Sequence, residues 1–359
     1  MNSKLQDVIV KLKNYIHLAL KTPPEQILSL LTQDGYNLPV PDLIISINTT
    51  GGIDYKRKAD DNIHEKVIQA LMTGLATAAR TTNAWVTTAG LNRAKVQWVG
   101  EALTNDTYGV DVPCIGFCSW GYTAEPNHTH FLLFDDNTSD RKNVIEARTK
   151  IEQLFSTNLR PRDPTRAYYT NIPIVMILIG GDYWSFVALC KAINAGTPIV
   201  IVKRTEGLAA ILTKVFKAFN LNEKLQDDNM KNVHGEDYKK IIKDLKSLSP
   251  TFNGQTGVDT QEANKILEDN IEMLRKNKNL IVIFDAHKGH HLEDAIADAL
   301  LQSILKKQKQ AIAQLDEKKF DLTKVEEIQW AMIWNKVEYA RKHILTGEDE
   351  EFSLTQRYV

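Results

Sequence analysis

Glycine recurs where apolar runs of this sequence give way to helical patterns: Gly51-Gly52, Gly90, Gly121 and Gly180-Gly181. Glycine lets a backbone approach a phosphate closely and take positive φ. Backbone N–H groups converge at helix starts, where the helix dipole favours anions. A tight strand-to-helix turn needs glycine anyway, so no single turn decides. Several on one sheet edge point to a phosphate-bearing ligand. Two arginines stand near this set. Arg93 follows Asn92, a candidate helix N-cap, and reads either as an anion contact or as a solvated first-turn residue. Arg148 lies four residues before Glu152, a spacing that makes a helix-surface ion pair, while its guanidinium also fits phosphate.

Histidines form two groups. His128 and His130 flank Thr129 at the entry to a strand, where side-chain alternation puts both on one face. Asp285-Ala-His287-Lys-Gly-His290-His291 is a denser set, without cysteine or clear ligand spacing, and reads as a solvated turn. No metal site is expected at either. The sequence has no Walker A pattern, no Gly-x-Ser-x-Gly elbow and no His-Glu-x-x-His.

The elements that must position these residues follow a repeating grammar. Strand-like runs are Leu43–Ile47, Ala84–Thr88, Cys114–Cys118, Phe131–Phe134, Ile172–Ile179 and Pro198–Val202. Between them Ile63, Val67, Leu71 and Leu75, then Val96, Val99 and Leu103, recur at helical spacing. Further helices are expected over Val144–Phe155, through Phe186 and Leu189, and over Leu208–Phe219. Nearly continuous apolar strands alternating with single helices predict an α/β, Rossmann-like, doubly wound and mostly parallel sheet. A short helical pattern opens the chain before Pro23-Pro24. Past about Asn220 long charged helical patterns dominate, interrupted by one strand-like run at Leu280–Phe284. The division expected is 1–40 as an N-terminal helical segment, 41–220 as the ligand-binding sheet domain and 221–359 as a mainly helical extension.

Composition sets bounds on partners. The 359 residues exceed one ordinary core, which stops growing near ~250–300 residues. A net charge of −1 excludes a whole-chain nucleic-acid footprint. Cys114, Cys118 and Cys190 are too few for a disulfide scaffold and read as buried small hydrophobes. The charge-free stretch Ala167–Gly181 falls short of the ~20 apolar residues of a membrane span. The first twenty residues carry Lys4, Lys11 and Lys13 without a cleavage pattern. The chain therefore reads as soluble and intracellular, with no direct membrane insertion.

An ordered set of motifs then becomes specific. It comprises Thr81-Thr-Asn-Ala-Trp-Val-Thr-Thr-Ala-Gly90, Gly100-Glu-Ala-Leu103, Cys114-Ile-Gly-Phe-Cys-Ser-Trp-Gly121, Asn127-His-Thr-His-Phe-Leu-Leu-Phe-Asp-Asp136 and Asn171-Ile-Pro-Ile-Val175. In order and spacing it resembles the N-terminal cytoplasmic homology region of melastatin-type transient receptor potential (TRPM) cation channels. That region belongs to the SLOG superfamily, Rossmann-like domains related to the LOG phosphoribohydrolases. The likeness runs from about 41 to 220 and continues more weakly through Asp294–Leu301 and Ala331–Arg341, the latter similar to the start of the channels' helical repeats.

The resemblance implies a cytoplasmic sensing and assembly module of a calcium-conducting channel, with ADP-ribose or a related adenine nucleotide as ligand and no cofactor. Its partners would be the remaining domains and neighbouring subunits of a tetramer. Carried over, Thr50, Gly51 and Gly52 form the first turn; Ala89 and Gly90, with Leu91 and Asn92, form the second. Trp120 and Gly121 form a third turn and Gly180-Gly181 a fourth, while Arg148 contacts ligand. Arg204, with Thr205 and Glu206, stands in for an arginine in the turn after Val202, where Lys203-Arg-Thr-Glu-Gly207 replaces a Gly-Ser-Gly-Arg pattern. A family tyrosine expected near Lys142 or Asn143 is absent. The hydrolase signature Pro-Gly-Gly-x-Gly-Thr-x-x-Glu is replaced by Ile179-Gly-Gly-Asp-Tyr-Trp-Ser-Phe-Val187, with Val187 at the catalytic glutamate's place. No catalytic residues are therefore expected. The alternatives are a ligand-free assembly scaffold and a standalone soluble nucleotide-processing protein.

Overall fold

A computed structural model describes residues 14–49, 61–91, 94–104, 112–120, 124–135, 141–159, 171–224, 235–248 and 260–344. Its centre is one eight-stranded sheet: β1 (Tyr15–Ala19), β2 (Ile44–Asn48), β3 (Trp85–Thr88), β4 (Cys114–Ser119), β5 (His130–Asp135), β6 (Ile174–Leu178), β7 (Ile199–Val202) and β8 (Ile281–Phe284). Across the sheet the order is β1-β5-β4-β3-β2-β6-β7-β8, and every neighbouring pair is parallel. Helices α1 (Pro24–Thr32), α2 (Asp61–Thr81), α3 (Ala94–Thr104), α4 (Arg141–Asn158), α5 (Tyr183–Asn194) and α6 (Leu208–Lys224) alternate with the strands. After α6 come α7 (Gly235–Ser247), α8 (Thr260–Lys276), α9 (Leu292–Ala313), α10 (Glu317–Ile333) and α11 (Val337–His343). The doubly wound α/β class and the helical extension are as expected.

The strands read as continuous apolar runs because the sheet is covered on both faces. Alternate residues sort cleanly. Ile45, Ile47, Val86, Val175, Ile177, Val200 and Val202 enter one core with α2, α3 and α9, completed by Trp330 of α10. On the opposite face Met176, Leu178, Ile199 and Ile201 pack with α5, α6 and α8. Further along that face Ile44, Trp85, Ile115, Phe117, Leu132 and Phe134 pack with α1 and α4. Among the described residues no helix is long and apolar enough to cross a membrane.

Two strands come from outside the 41–220 segment. β8 was legible as an apolar run. Residues 1–13 of the expected opening helix lie outside the described residues, but at Tyr15–Ala19 the chain is a strand, β1, paired in parallel with Phe131–Asp135 of β5. Its β-branched and aromatic residues suit that edge, and pairing to an existing strand overrides a weak local helical period.

The chain order fixes where a cleft can open. From β2 the chain winds one way through β3, β4 and β5; it then returns across the sheet to β6 and winds the other way. The reversal lies between β2 and β6, and open α/β sheets bind ligands at such a switch point, beyond the strands' carboxyl ends.

Candidate functional site

At the switch point the apolar alternation is broken. Ser46 and Asn48 of β2 and Thr87 of β3 share the face that Ile44 and Trp85 give to the core, and all three are buried. Helix α4 answers them with Arg148 and Glu152, one turn apart on its inner side. The Arg148 Nε donates to Glu152 Oε1 at 2.8 Å. Its Nη2 donates to Ser46 Oγ at 2.8 Å, the Ile47 carbonyl at 3.1 Å and the Thr87 carbonyl at 3.0 Å. Ser46 Oγ and Thr87 Oγ1 in turn donate to the Glu152 carboxylate. The Arg148 side chain is 13% exposed and that of Glu152 6%. Burying two charges is costly unless they are paired and hydrogen-bonded, as these are. The pair anticipated on the helix surface is thus real but buried, and it ties α4 to the two central strands.

Beside this network, between α4 and α5, lies a mostly apolar cleft at the strand ends. Asn48, Thr49, Ala89, Leu91, Ser119 and Trp184 line it, with Arg148 at its base. Asn48 Nδ2 donates to the Ser185 carbonyl at 2.9 Å and so pins the first turn of α5. Thr49, only 3% exposed, has a hydroxyl with no hydrogen-bond partner among the described residues. A buried hydroxyl without a partner costs about 1–3 kcal/mol, so this atom marks where a ligand's polar group would be stabilised.

Among the described glycine turns, those at Gly90 and Gly180 are braced from within. Gly90 has φ +64°, and a Cβ there would stand 2.8 Å from Gly116 Cα, so close packing against β4 explains the glycine. Its N–H donates to Thr88 Oγ1 at 2.8 Å. Gly180 has φ +67°, and its N–H donates to Thr205 Oγ1 at 2.9 Å. The carbonyls of Gly180 and Gly181 accept from the N–H groups of Ala209 and Leu208. Both glycine N–H groups therefore brace their own turns. The Gly90 and Gly180 amides are thus engaged within the protein.

A buried relay stiffens the second turn further. Glu125 Oε2 lies 2.6 Å from His128 Nδ1, and His128 Nε2 lies 2.7 Å from Thr88 Oγ1. With Nδ1–H donating to the carboxylate, Nε2 accepts from the threonine hydroxyl, which accepts from Gly90. The side chains of Glu125 and His128 are fully buried, and Thr88 is 0% exposed. Such a trio resembles a hydroxyl–imidazole–carboxylate nucleophile in connectivity, but it lies in the packed interior and holds the turn.

The remaining site residues separate. Ala89, Leu91 and Arg148 meet at the cleft. Thr205 and Glu206 instead meet Gly180: Thr205 Oγ1 accepts its N–H, and the Glu206 carbonyl lies 3.4 Å from where a Gly180 Cβ would stand. Arg204, with φ +65°, turns instead to Asp285, its Nε 3.4 Å from Oδ1. Trp120 stacks on His17 with ring centroids 4.2 Å apart. Thr50, Gly51, Gly52, Asn92 and Gly121 lie outside the described residues, as does Arg93. His128 and His130 do not act together: His128 joins the relay, while His130 bonds Thr129 and packs edge-on to Tyr36. His128 precedes β5, so strand alternation does not govern it. All three cysteines are buried and unbridged, and burial pushes the Cys118 and Cys190 thiols up to about 12.

Sequence reasoning missed Ser46, Asn48, Thr49 and Thr87, although polar residues at alternate positions of buried strands were a readable signal. It also missed Lys95, in the first turn of α3. Its Nζ rests on Gly180, occupying the place a Cβ would take. Burial holds this amine below the usual lysine range, opposed by the nearby Glu206 and Asp182 carboxylates.

Comparison with known proteins agrees with this architecture. The family model described as SLOG in TRPM matches residues 13–125 and 122–272. The Transient receptor potential cation channel subfamily M member 2 of Mus musculus is 26% identical over 379 residues, covering 95% of this chain and 23% of that protein. Its Rattus norvegicus counterpart is 27% identical over 375 residues, covering 94% and 22%. The Drosophila melanogaster cation channel trpm is 25% identical over 368 residues, covering 94% and 16%. The chain thus spans about a fifth of the length of these relatives.

Proposed function

Because the chain belongs to the family of SLOG domains found in TRPM channels, we propose that it is the cytoplasmic nucleotide-sensing and assembly region of such a channel. The ligand proposed is ADP-ribose or a related adenine nucleotide, held beyond the carboxyl ends of β2, β3 and β6. One observation carries this reading: a cleft at the switch point of the sheet, lined by a buried Thr49 hydroxyl that lacks a partner among the described residues. Its apolar walls, including Leu91 and Trp184, suit a base or ribose face. Sensing then requires that nucleotide bind one packing arrangement of neighbouring subunits better than another.

A second reading, a scaffold without ligand, is favoured by the internal engagement of Arg148. Calorimetric titration of the full chain with ADP-ribose, its cyclic form and AMP separates the two, with chromatography of each mixture to detect turnover. The sensing reading expects saturable binding and unchanged ligand. No heat at millimolar ligand supports the scaffold, and ligand consumption makes the chain an enzyme.

A further inference from the structure

The proposed nucleotide brings phosphate into a chain whose expected phosphate contacts are already engaged. Within hydrogen-bond distance Arg148 meets two strands and Glu152. The Gly90 and Gly180 amides face Thr88 and Thr205. Arg204 leans on Asp285 at another part of the strand edge. The Glu152 carboxylate beside Arg148 also offsets that cation locally.

Lys95 is placed differently. It enters from α3, over the turn that leads from β6 into α5, and its Nζ packs directly on Gly180. It makes no hydrogen bond or ion pair within 4 Å among the described residues; Glu206 and Asp182 act on it only through their charge. Gly180 follows Ile179, whose N–H donates to the Asn48 carbonyl at 3.1 Å, so the turn lies beside Thr49 at the neighbouring strand end. Parallel strands are ~4.8 Å apart. Lys95 thus sits on the turn one strand spacing from Thr49, whose unpartnered hydroxyl lines the cleft. The absence of a Cβ at Gly180 leaves room for its amine there.

We infer that Lys95 is the phosphate-recognising cation of this cleft, with the Thr49 hydroxyl as a second contact, while Arg148 acts as a positioning residue beneath it. The inference deepens the nucleotide reading and rests on it. The Asp182 carboxylate is occupied as the N-cap of α5, accepting from Ser185 N–H at 3.1 Å, and Glu206 is the acidic neighbour that acts on Lys95 through its charge. An arriving phosphate replaces weak through-space attraction by direct N–H···O contact in a partly desolvated place, where charge-assisted bonds are strong.

The test is isothermal titration of the full chain and of Lys95→Met and Lys95→Arg with adenosine, AMP, ADP-ribose and inorganic pyrophosphate. Lys95→Met is expected to weaken AMP, ADP-ribose and pyrophosphate about 10- to 100-fold, the scale of one charge-assisted hydrogen bond. Adenosine affinity should stay unchanged, and Lys95→Arg should restore most of the loss. Where Lys95→Met fails to fold by circular dichroism, Lys95→Gln takes its place, keeping a polar tip beside the two carboxylates. ADP-ribose binding that is insensitive to Lys95 overturns the inference and leaves the nucleotide reading standing. Lys95-dependent pyrophosphate binding without any nucleotide binding does the reverse. Binding of neither overturns both.

Discussion

Arg148 shows how one residue's chemistry depends on what lies beneath its helix. The same guanidinium that fits a phosphate is held by Ser46, Ile47, Thr87 and Glu152. Removing it leaves the Glu152 carboxylate buried with only two hydroxyl donors, so Arg148→Met should cost about 3–5 kcal/mol of stability by chemical denaturation. The double variant Arg148→Met/Glu152→Leu should recover most of that loss, because no unpaired charge remains. A single variant as stable as the parent would mean that the network does not hold the strands. The i, i+4 spacing of this pair was legible in the sequence. Its direction was not, since helical periodicity fixes which residues share a face but not what that face meets. The polar breaks at Ser46 and Thr87 held the missing information.

At the scale of elements, alternation within the strands was the most legible feature, and six apolar runs became β2 to β7 within a residue or two. β1 escaped because an edge strand of five residues is stabilised by its partner β5 rather than by its own propensity. β8 is secured by a clamp outside its ladder. Asp285, just after it, accepts from Lys203 Nζ at 2.7 Å and meets Arg204, both in the turn after β7. Burial pushes the Asp285 carboxyl up, but the Lys203 hydrogen bond and charge, the His287 N–H and Arg204 prevail and hold it below its ordinary value. A depressed carboxyl adds stability above its unfolded pKa of about 3.9, and loses it as pH falls through the folded value. Asp285→Asn should therefore cost about 1–2 kcal/mol near neutrality. Its deficit should shrink as denaturation is repeated from pH 5 down to the acid limit of folding; a deficit constant with pH would show that charge is not what Asp285 contributes.

Across the described residues, a single parallel sheet takes its two edge strands from far apart in the chain, β1 near the start and β8 after the long helices α7 and α8. The cleft lies between, at the reversal of winding, lined by residues of α4 and α5 beside β2 and β6. That position follows from topology, while the donors facing it follow from side-chain packing that the sequence motifs did not specify. The same glycines that mark a nucleotide cleft in the sequence serve here to close turns and admit Lys95. Occupation of this switch-point cleft by a nucleotide is tested by amide hydrogen exchange of the full chain with and without saturating ADP-ribose. Slowed exchange is expected at Asn48–Thr49, Ala89–Leu91 and Gly180–Trp184, with no change at Ala195–Thr197 at the opposite end of the sheet. Unchanged exchange at the first three segments, or protection confined to the opposite end, would contradict it.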